Sequence, residues 1–251
     1  MSVTIKSPRE IELMRESCRI LSEVHKELSK IIEPGISTKE IDIAGEKLIR
    51  SYGCIPNFLH YNGYPASICV SVNDEVVHGI PNKKRKLKEG DIVSLDCGLI
   101  YKGYHSDAAR TYGVGRVSEE AQKLMDVTKQ AFFEGIKMAK AGNYLYDISN
   151  AIDDYVSSFG YGIVRDLVGH GIGTSLHEDP QIPNFRQKKH GVRLEPGMTL
   201  AVEPMINAGG YEVCWLDDDW TVVTEDGSLS SHYENTILIT EGEPEILTIE
   251  R

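Results

Sequence analysis

One pattern occurs twice in this chain, and nothing else in it restricts the fold as much. Leu87-Lys88-Glu89-Gly90-Asp91-Ile92-Val93-Ser94-Leu95-Asp96 and Leu194-Glu195-Pro196-Gly197-Met198-Thr199-Leu200-Ala201-Val202-Glu203 each read leucine, two residues, glycine, an apolar run and a closing carboxylate. A His-Gly-Ile segment precedes each: Val77-His78-Gly79-Ile80-Pro81 in the first, Gly169-His170-Gly171-Ile172-Gly173 in the second. A pair of helix signals precedes each of those. In the first pair, Ser7-Pro8-Arg9-Glu10 is a capping box with proline at the first helical position, and apolar residues recur at helical spacing from Ile11 to Ile31. Ser37-Thr38-Lys39-Glu40 opens a shorter helix that ends near Gly53. In the second pair, one helix runs from about Ser118 to Lys140 and another through Ile148 to Phe159, with stops at Gly142 and Gly160. Strands are expected at 67–73, 75–78, 91–97 and 99–112 (broken by Gly103), then at 162–168, 198–204, 211–216, 221–224 and 233–240. The repeat implies two pseudo-symmetric halves, about 1–115 and 116–251, with no Pro/Gly/Ser-rich linker between them. They are expected to share one sheet and one core as a single domain over 1–251, with a site at their junction drawing residues from both.

The chemistry sits at the strand ends. Runs as apolar as Ile92–Leu95 and Met198–Val202 belong to buried strands, so the closing Asp96 and Glu203 are expected to be partly buried. A buried anion either takes up a proton or meets a cation. Asp107 follows Asp96 by eleven residues, a spacing that suits a hairpin returning the two side by side, and Glu234 opens the run Asn235–Ile239. A single acid among 38 is ordinarily a turn or strand-end residue. Four acids gathered in one buried site, two from each half, repel strongly enough to require a multivalent cation. His170, in what reads as a glycine-rich turn, adds a nitrogen donor. Asp96, Asp107, His170, Glu203 and Glu234 together suit two divalent ions with bridging carboxylates. The oxygen bias leans toward Mn, Fe or Co, with Zn also admissible.

Composition limits the partners. Apolar residues at 41% and charged residues at 26% describe an ordinary globular chain, and no stretch of about 18 apolar residues is present to span a membrane. Charge is 27 minus 38, or −11, so there is no global pull toward nucleic acid or anionic lipid, and no sequence-specific nucleic-acid partner is expected. Lys83-Lys84-Arg85-Lys86 is a local exception and reads as a solvated turn. Cys18, Cys54, Cys69, Cys97 and Cys214 are odd in number and lack Cys-x-x-Cys spacing, which points to a reducing compartment and excludes a zinc finger or thioredoxin-like site. Met1 to Lys6 lead straight into the first helix signal without an apolar signal-peptide core, so a cytoplasmic location is expected.

In order and local context these residues resemble the type I methionine aminopeptidases of the pita-bread metallopeptidase group. The matching segments are Tyr61-Asn62-Gly63-Tyr64-Pro65, Asn73 through His78-Gly79-Ile80-Pro81, Asp96-Cys97-Gly98, Gly169 to Gly173, His177-Glu178-Asp179-Pro180, Glu203-Pro204-Met205, Trp220-Thr221-Val222 and Tyr233-Glu234-Asn235-Thr236. They cover nearly the whole chain from the first helix. The resemblance implies an α+β pita-bread fold, with two pseudo-symmetric halves sharing a curved, mainly antiparallel sheet covered by two helix pairs. It also implies removal of the initiator methionine from nascent proteins and peptides with a small second residue. Asp96 would chelate one metal, Asp107 and Glu234 would bridge both, and His170 and Glu203 would bind the other. A water or hydroxide shared by the metals would attack the first peptide carbonyl. Glu203 would carry the proton, His177 would stabilise the carbonyl oxygen, and His78 would contact the substrate amide. Tyr61, Tyr64, Cys69 and Trp220 match the wall of a methionine pocket, where a thioether sits well among aromatic and thiol surfaces. The partner implied is a peptide or nascent-chain N-terminus, met by a monomer, with transient ribosome contact left open.

Departures from the group are few. Phe58 stands where cysteine is common and Leu176 where phenylalanine is common, which keeps pocket volume similar, changes its shape and leaves the ranking of substrates open. Asp217-Asp218-Asp219 before Trp220 disfavours a nearby phosphate backbone. Neither a zinc-binding N-terminal extension nor the long insert of the type II enzymes is expected. Xaa-Pro aminopeptidases and prolidases share the five ligands but usually carry an extra preceding domain, and only 95 residues precede Asp96. A metal-free binding protein on the same fold would not need all five ligands and both histidines. Nucleophilic catalysis lacks a Gly-x-Ser-x-Gly elbow, and Asp96 beside Cys97 opposes thiolate formation. A nucleotide loop at Gly169–Gly173 fails at Thr174, which takes the place of the last glycine.

Overall fold

A computed structural model describes residues 3–249; Met1 and Ser2, part of the start read above, lie outside the described residues. Helix α1 (Pro8–Ser29) begins at the expected box, where Ser7 N donates to Glu10 Oε2 at 2.8 Å. Helix α2 (Thr38–Ser51) repeats the device, with Ser37 N donating to Glu40 Oε2 at 2.8 Å and Glu40 N to Ser37 Oγ at 3.3 Å. Five strands follow: β1 (Ile55–Pro56), β2 (Ile68–Val72), β3 (Glu75–Val77), β4 (Ile92–Tyr101) and β5 (Tyr104–Gly113). Leu21, Val24, Leu28, Ile41 and Ile49 of the helices pack on Val70, Leu95 and Leu99 of the strands. Each such side chain taken fully from water contributes about 1.5–3 kcal/mol. Strand β4 is central, antiparallel to β1 and β2 along one side and to β5 along the other. It runs unbroken through Gly98, where two separate strands were expected. The chain reverses at Lys102 and Gly103, whose φ of +48° and +86° are the left-handed pair that a two-residue type I′ hairpin needs.

The second helix pair is α3 (Glu119–Ile136) and α4 (Leu145–Ser157). Helix α3 stops short of Lys140 because the chain tightens, with Ala139 N on Ile136 O at 3.0 Å and Asn143 Nδ2 on Met138 O at 3.0 Å. Leu124, Phe132, Ile148 and Ile152 cover Leu200, Val202 and Ile237. The strands beneath and around them are β6 (Gly162–Ile163), β7 (Gly169–Gly171), β8 (Glu178–Ile182), β9 (Thr199–Val202), β10 (Met205–Asn207), β11 (Val213–Trp215), β12 (Val222–Thr224), β13 (Ser230–His232), β14 (Asn235–Leu238) and β15 (Glu245–Ile246). The strands are antiparallel throughout, as the pita-bread fold requires, and their hydrogen-bond ladders fall into four groups. The first is built on β4; the others run β15-β14-β9-β7-β8, β13-β10-β6 and β11-β12-β3. Pro204, which cannot donate to a ladder, separates β9 from β10, and the chain changes sheet there.

Strands β5 and β14 meet along a seam. Glu234 N donates to Ala109 O at 3.0 Å, Asp107 N to Thr236 Oγ1 at 3.2 Å, and Thr236 Oγ1 to Asp107 O at 2.8 Å. Arg110 spans it, donating to Glu234 O and to Asn235 Oδ1 at 2.7 Å. The two His-Gly-Ile segments sit differently. Gly169–Gly171 is a strand between β8 and β9, so His170 does not lie in a turn. His78 lies just past β3, at φ +60°, with Gly79 O accepting from Val70 N of β2 at 3.0 Å. The glycines around His170 answer to close backbones. A Cβ at Gly169 would lie 2.4 Å from Ala201 O, and one at Gly171 2.2 Å from Asp179 O. No helix among the described residues is long and apolar enough to cross a membrane.

Candidate metal centre and substrate cleft

The register of the strands assembles the acids. Asp96 on β4 faces Ala109 of β5, and Asp107 on β5 faces Gly98 of β4, so the two carboxylates are diagonal neighbours on one face of the hairpin. Val202 of β9 pairs with Asn235 of β14, which leaves Glu203 and Glu234 opposite each other just beyond that ladder. Because β5 and β14 share the seam, the two pairs converge. His170 comes in from β7, the neighbour of β9, with Nε2 3.8 Å from Asp107 Oδ2 and 3.7 Å from Glu203 Oε1. Ligand atoms of Asp107, His170 and Glu234 all lie within 4.8 Å of one another, and all three residues are buried.

These side chains have the properties of an ion-binding set. Burial, followed by the charges of Asp96 and Glu203, pushes the Asp107 carboxyl well above the usual range, and burial followed by Asp107 does the same to Glu234. Burial raises Asp96 to about 7 and Glu203 to about 8. Asp96 Oδ1, Asp107 Oδ1 and Glu234 Oε1 are buried with no hydrogen-bond partner among the described residues. Such atoms are costly unless something outside the protein satisfies them. His170 Nδ1 lies 2.8 Å from Gly171 O, and a carbonyl only accepts, so the proton sits on Nδ1 and the Nε2 lone pair faces the acids. Burial lowers the His170 imidazole to about 3, which keeps it neutral and able to ligate. Four carboxylate side chains and one neutral imidazole fit divalent cations of intermediate hardness.

A cavity of about 240 Å³ opens onto this cluster, and every residue singled out from the sequence lines it. Phe58, Tyr61, Tyr64, Cys69, Leu176 and Trp220 form its apolar part, with His78 and His177 at the boundary to the acids. Cys69 lies opposite Asp96 in the β2–β4 ladder, so pocket wall and carboxylate share one pair of strands. Tyr64 meets Trp220 edge-on at 5.1 Å and donates from its hydroxyl to Gly79 O at 2.8 Å, fixing the segment that carries His78. His177 packs against His170 with ring centres 4.2 Å apart, and its Nδ1 lies 2.7 Å from the Tyr61 hydroxyl. Burial lowers both His177 and His78, the latter to about 4. Phe58 and Leu176 lie in the same apolar cluster, so the two departures act on one pocket.

Sequence reasoning missed Val77, Leu167, Val168 and Met205, which also line the cavity, and it missed His232 beside Glu203. His232 had one available signal: it stands two residues before Glu234, on the same face of an extended chain. Lys83 to Lys86 form an exposed turn, with Arg85 3.9 Å from Glu75.

The model of metallopeptidase family M24 matches residues 12–241. The methionine aminopeptidase of Clostridium acetobutylicum is 53% identical over 247 residues, covering 98% of this chain and 99% of that one. Among solved structures, the methionine aminopeptidase from Thermotoga maritima superposes with a TM-score of 0.97 at 45% identity, over 99% of this chain and 100% of that one. The Xaa-Pro dipeptidase from Bacillus anthracis gives a TM-score of 0.80 at 27% identity, with 98% of this chain covering 62% of that one.

Proposed function

Because the chain belongs to metallopeptidase family M24 and is a methionine aminopeptidase, we propose that Asp96, Asp107, His170, Glu203 and Glu234 hold two divalent ions at the end of a methionine-sized pocket. The observation that carries this reading is the set of buried, unpartnered carboxylate oxygens converging with a free imidazole nitrogen at that place. Asp107 and Glu234, from the two sides of the seam, would bridge the ions; Asp96 would complete one site, and His170 with Glu203 the other. Mn, Fe or Co suits the donor set best. When bound, the ions supply an acidified water and polarise the scissile carbonyl.

The remaining steps belong to the protein. Phe58, Tyr64, Cys69, Leu176 and Trp220 bind the methionine side chain and exclude water from it. Glu203 takes the proton from the attacking water and returns it to the leaving amine. A Tyr61 hydroxyl donating to His177 Nδ1 leaves the His177 proton on Nε2, free to donate to the carbonyl oxygen as it gains charge. His78 accepts or donates at the substrate amide. The substrate is the N-terminus of a peptide or nascent chain with a small second residue. The protein acts as one catalytic unit over 1–251, as a cytoplasmic monomer with at most transient ribosome contact.

Paired peptides test the reading. Metal-stripped protein is given Met-Ala-led and Ala-Pro-led peptides with and without Mn²⁺. Metal-dependent release of methionine alone is expected. Release from the Xaa-Pro peptide instead would move the specificity to the prolidase side, and no cleavage with Mn²⁺, Fe²⁺ or Co²⁺ would remove the catalytic reading.

A further inference from the structure

We propose that His232 is a positioning residue whose Nε2–H holds one oxygen of Glu203, fixing the other toward the ion beside His170; this rests on the metal-centre reading above. His232 is 1% exposed at the end of β13. Its backbone is already committed. His232 N donates to Thr111 Oγ1 at 2.9 Å, and His232 O accepts from the same hydroxyl at 2.9 Å. The imidazole is the part left without a role, and neither ring nitrogen has a hydrogen-bond partner among the described residues.

Its nearest charged oxygen is Glu203 Oε2, 3.5 Å from Nε2. The other oxygen of that carboxylate, Oε1, faces His170 Nε2 at 3.7 Å. Glu203 therefore stands between two histidines, one oxygen for each. His170 spends its Nδ1 proton on a carbonyl and offers a lone pair. With an ion bound, Glu203 is an ionised carboxylate that only accepts, so His232 would offer the proton, from Nε2. The Glu203 backbone is held separately, by Asn184 Nδ2 on Glu203 O at 3.1 Å. With Asn184 on the main chain and His232 on the side chain, Glu203 would be left one orientation. That matters twice, because the same carboxylate is to ligate an ion and to carry a proton. Ligating carboxylates are generally oriented by such outer partners, and loss of one typically costs about 10–100-fold in metal affinity or activity.

The test compares wild type, His232→Leu, His232→Gln and His232→Asn. Each is titrated with Co²⁺ for affinity, recorded for its visible Co²⁺ spectrum, and assayed for kcat and KM on a Met-Ala-led peptide. The glutamine amide nitrogen reaches the position of Nε2 and can donate there; the asparagine amide is one carbon shorter. Leucine is expected to weaken Co²⁺ binding about 10–100-fold, alter the spectrum and lower kcat with little change in KM. Glutamine is expected to restore most of each, and asparagine little. Wild-type affinity and spectrum in the leucine variant would overturn the proposal. If the leucine variant does not fold, equal behaviour of glutamine and asparagine would overturn it instead. A wild type that neither binds Co²⁺ nor cleaves would bring down the metal-centre reading, and this one with it.

Discussion

Replacing Glu203 by glutamine is expected to stabilise the metal-free protein while ending its activity. Burial moves this carboxyl from 4.5 to about 8, so the folded, metal-free protein still holds the proton at pH 7.5 whereas the unfolded chain has released it. The contribution of such a raised acid is complete below about pH 4.5 and is lost as pH climbs toward about 8. At pH 7.5 the loss spans about 3 pH units, or roughly 4 kcal/mol at about 1.4 kcal/mol per unit. Glutamine has the same shape and no proton to lose. The two proteins should therefore melt together near pH 4.5 and diverge above it. His25, near 3, is common to both and cancels, while Asp96, Asp107 and Glu234, which the Glu203 charge pushes up, are relieved in the variant and shift the comparison in the same direction. At roughly 2–4 °C per kcal/mol for a chain of this size, the variant should melt about 8–16 °C higher at pH 7.5. The assay is thermal melting by circular dichroism in the presence of a chelator, from pH 4.5 to 8. Added Mn²⁺ should reverse the order, because the ion binds the ionised carboxylate that only the wild type has. A gap independent of pH, or a variant melting below wild type at pH 7.5, would refute the claim that burial dominates at this side chain.

Asp107→Asn should cut Mn²⁺-dependent turnover by more than about a hundredfold and weaken metal uptake in parallel, measured by peptide cleavage and metal titration. His177→Ala should lower kcat by about 10²–10³-fold with full metal occupancy, as loss of a donor to a developing oxyanion does; an unchanged kcat would remove that role. Phe132→Ala, on the buried face of α3 and outside the cleft lining, should cost about 3–5 kcal/mol in urea unfolding.

The parts legible in advance were those where one apolar period ends in one charge. Asp96 and Glu203 stand out because a buried run has no other reason to finish on an acid, and Asp107 and Glu234 follow from strand return. The capping boxes at Ser7 and Ser37 fixed two helix starts because the side chains that satisfy the first amides are local. His170 was recognised as a donor but placed in a turn, since flanking glycines signal flexibility in a sequence and close backbones in this fold. Strand β13 was missed because Ser230, Ser231 and His232 are polar and yet buried. Their burial is balanced by partners far away in the chain. Ser231 Oγ donates to Thr111 Oγ1 at 3.1 Å and Ser230 Oγ to Asn207 Oδ1 at 2.9 Å, contacts no local pattern can reveal. The grouping of the ladders escaped notice for a similar reason: where a chain leaves one ladder for another depends on the packing of both.

The seam between β5 and β14 also makes the protein its own reporter. The amide protons of Asp107 and Glu234 are donated across it, to Thr236 Oγ1 and Ala109 O. Neither can exchange with deuterium until the strands part, and each belongs to a residue proposed to clasp the ions. Their exchange rates thus time the parting of the strands directly. Metal that bridges the seam should slow those two amides together, by the full factor of its binding, while amides on the outer faces of α1 and α3 keep their pace.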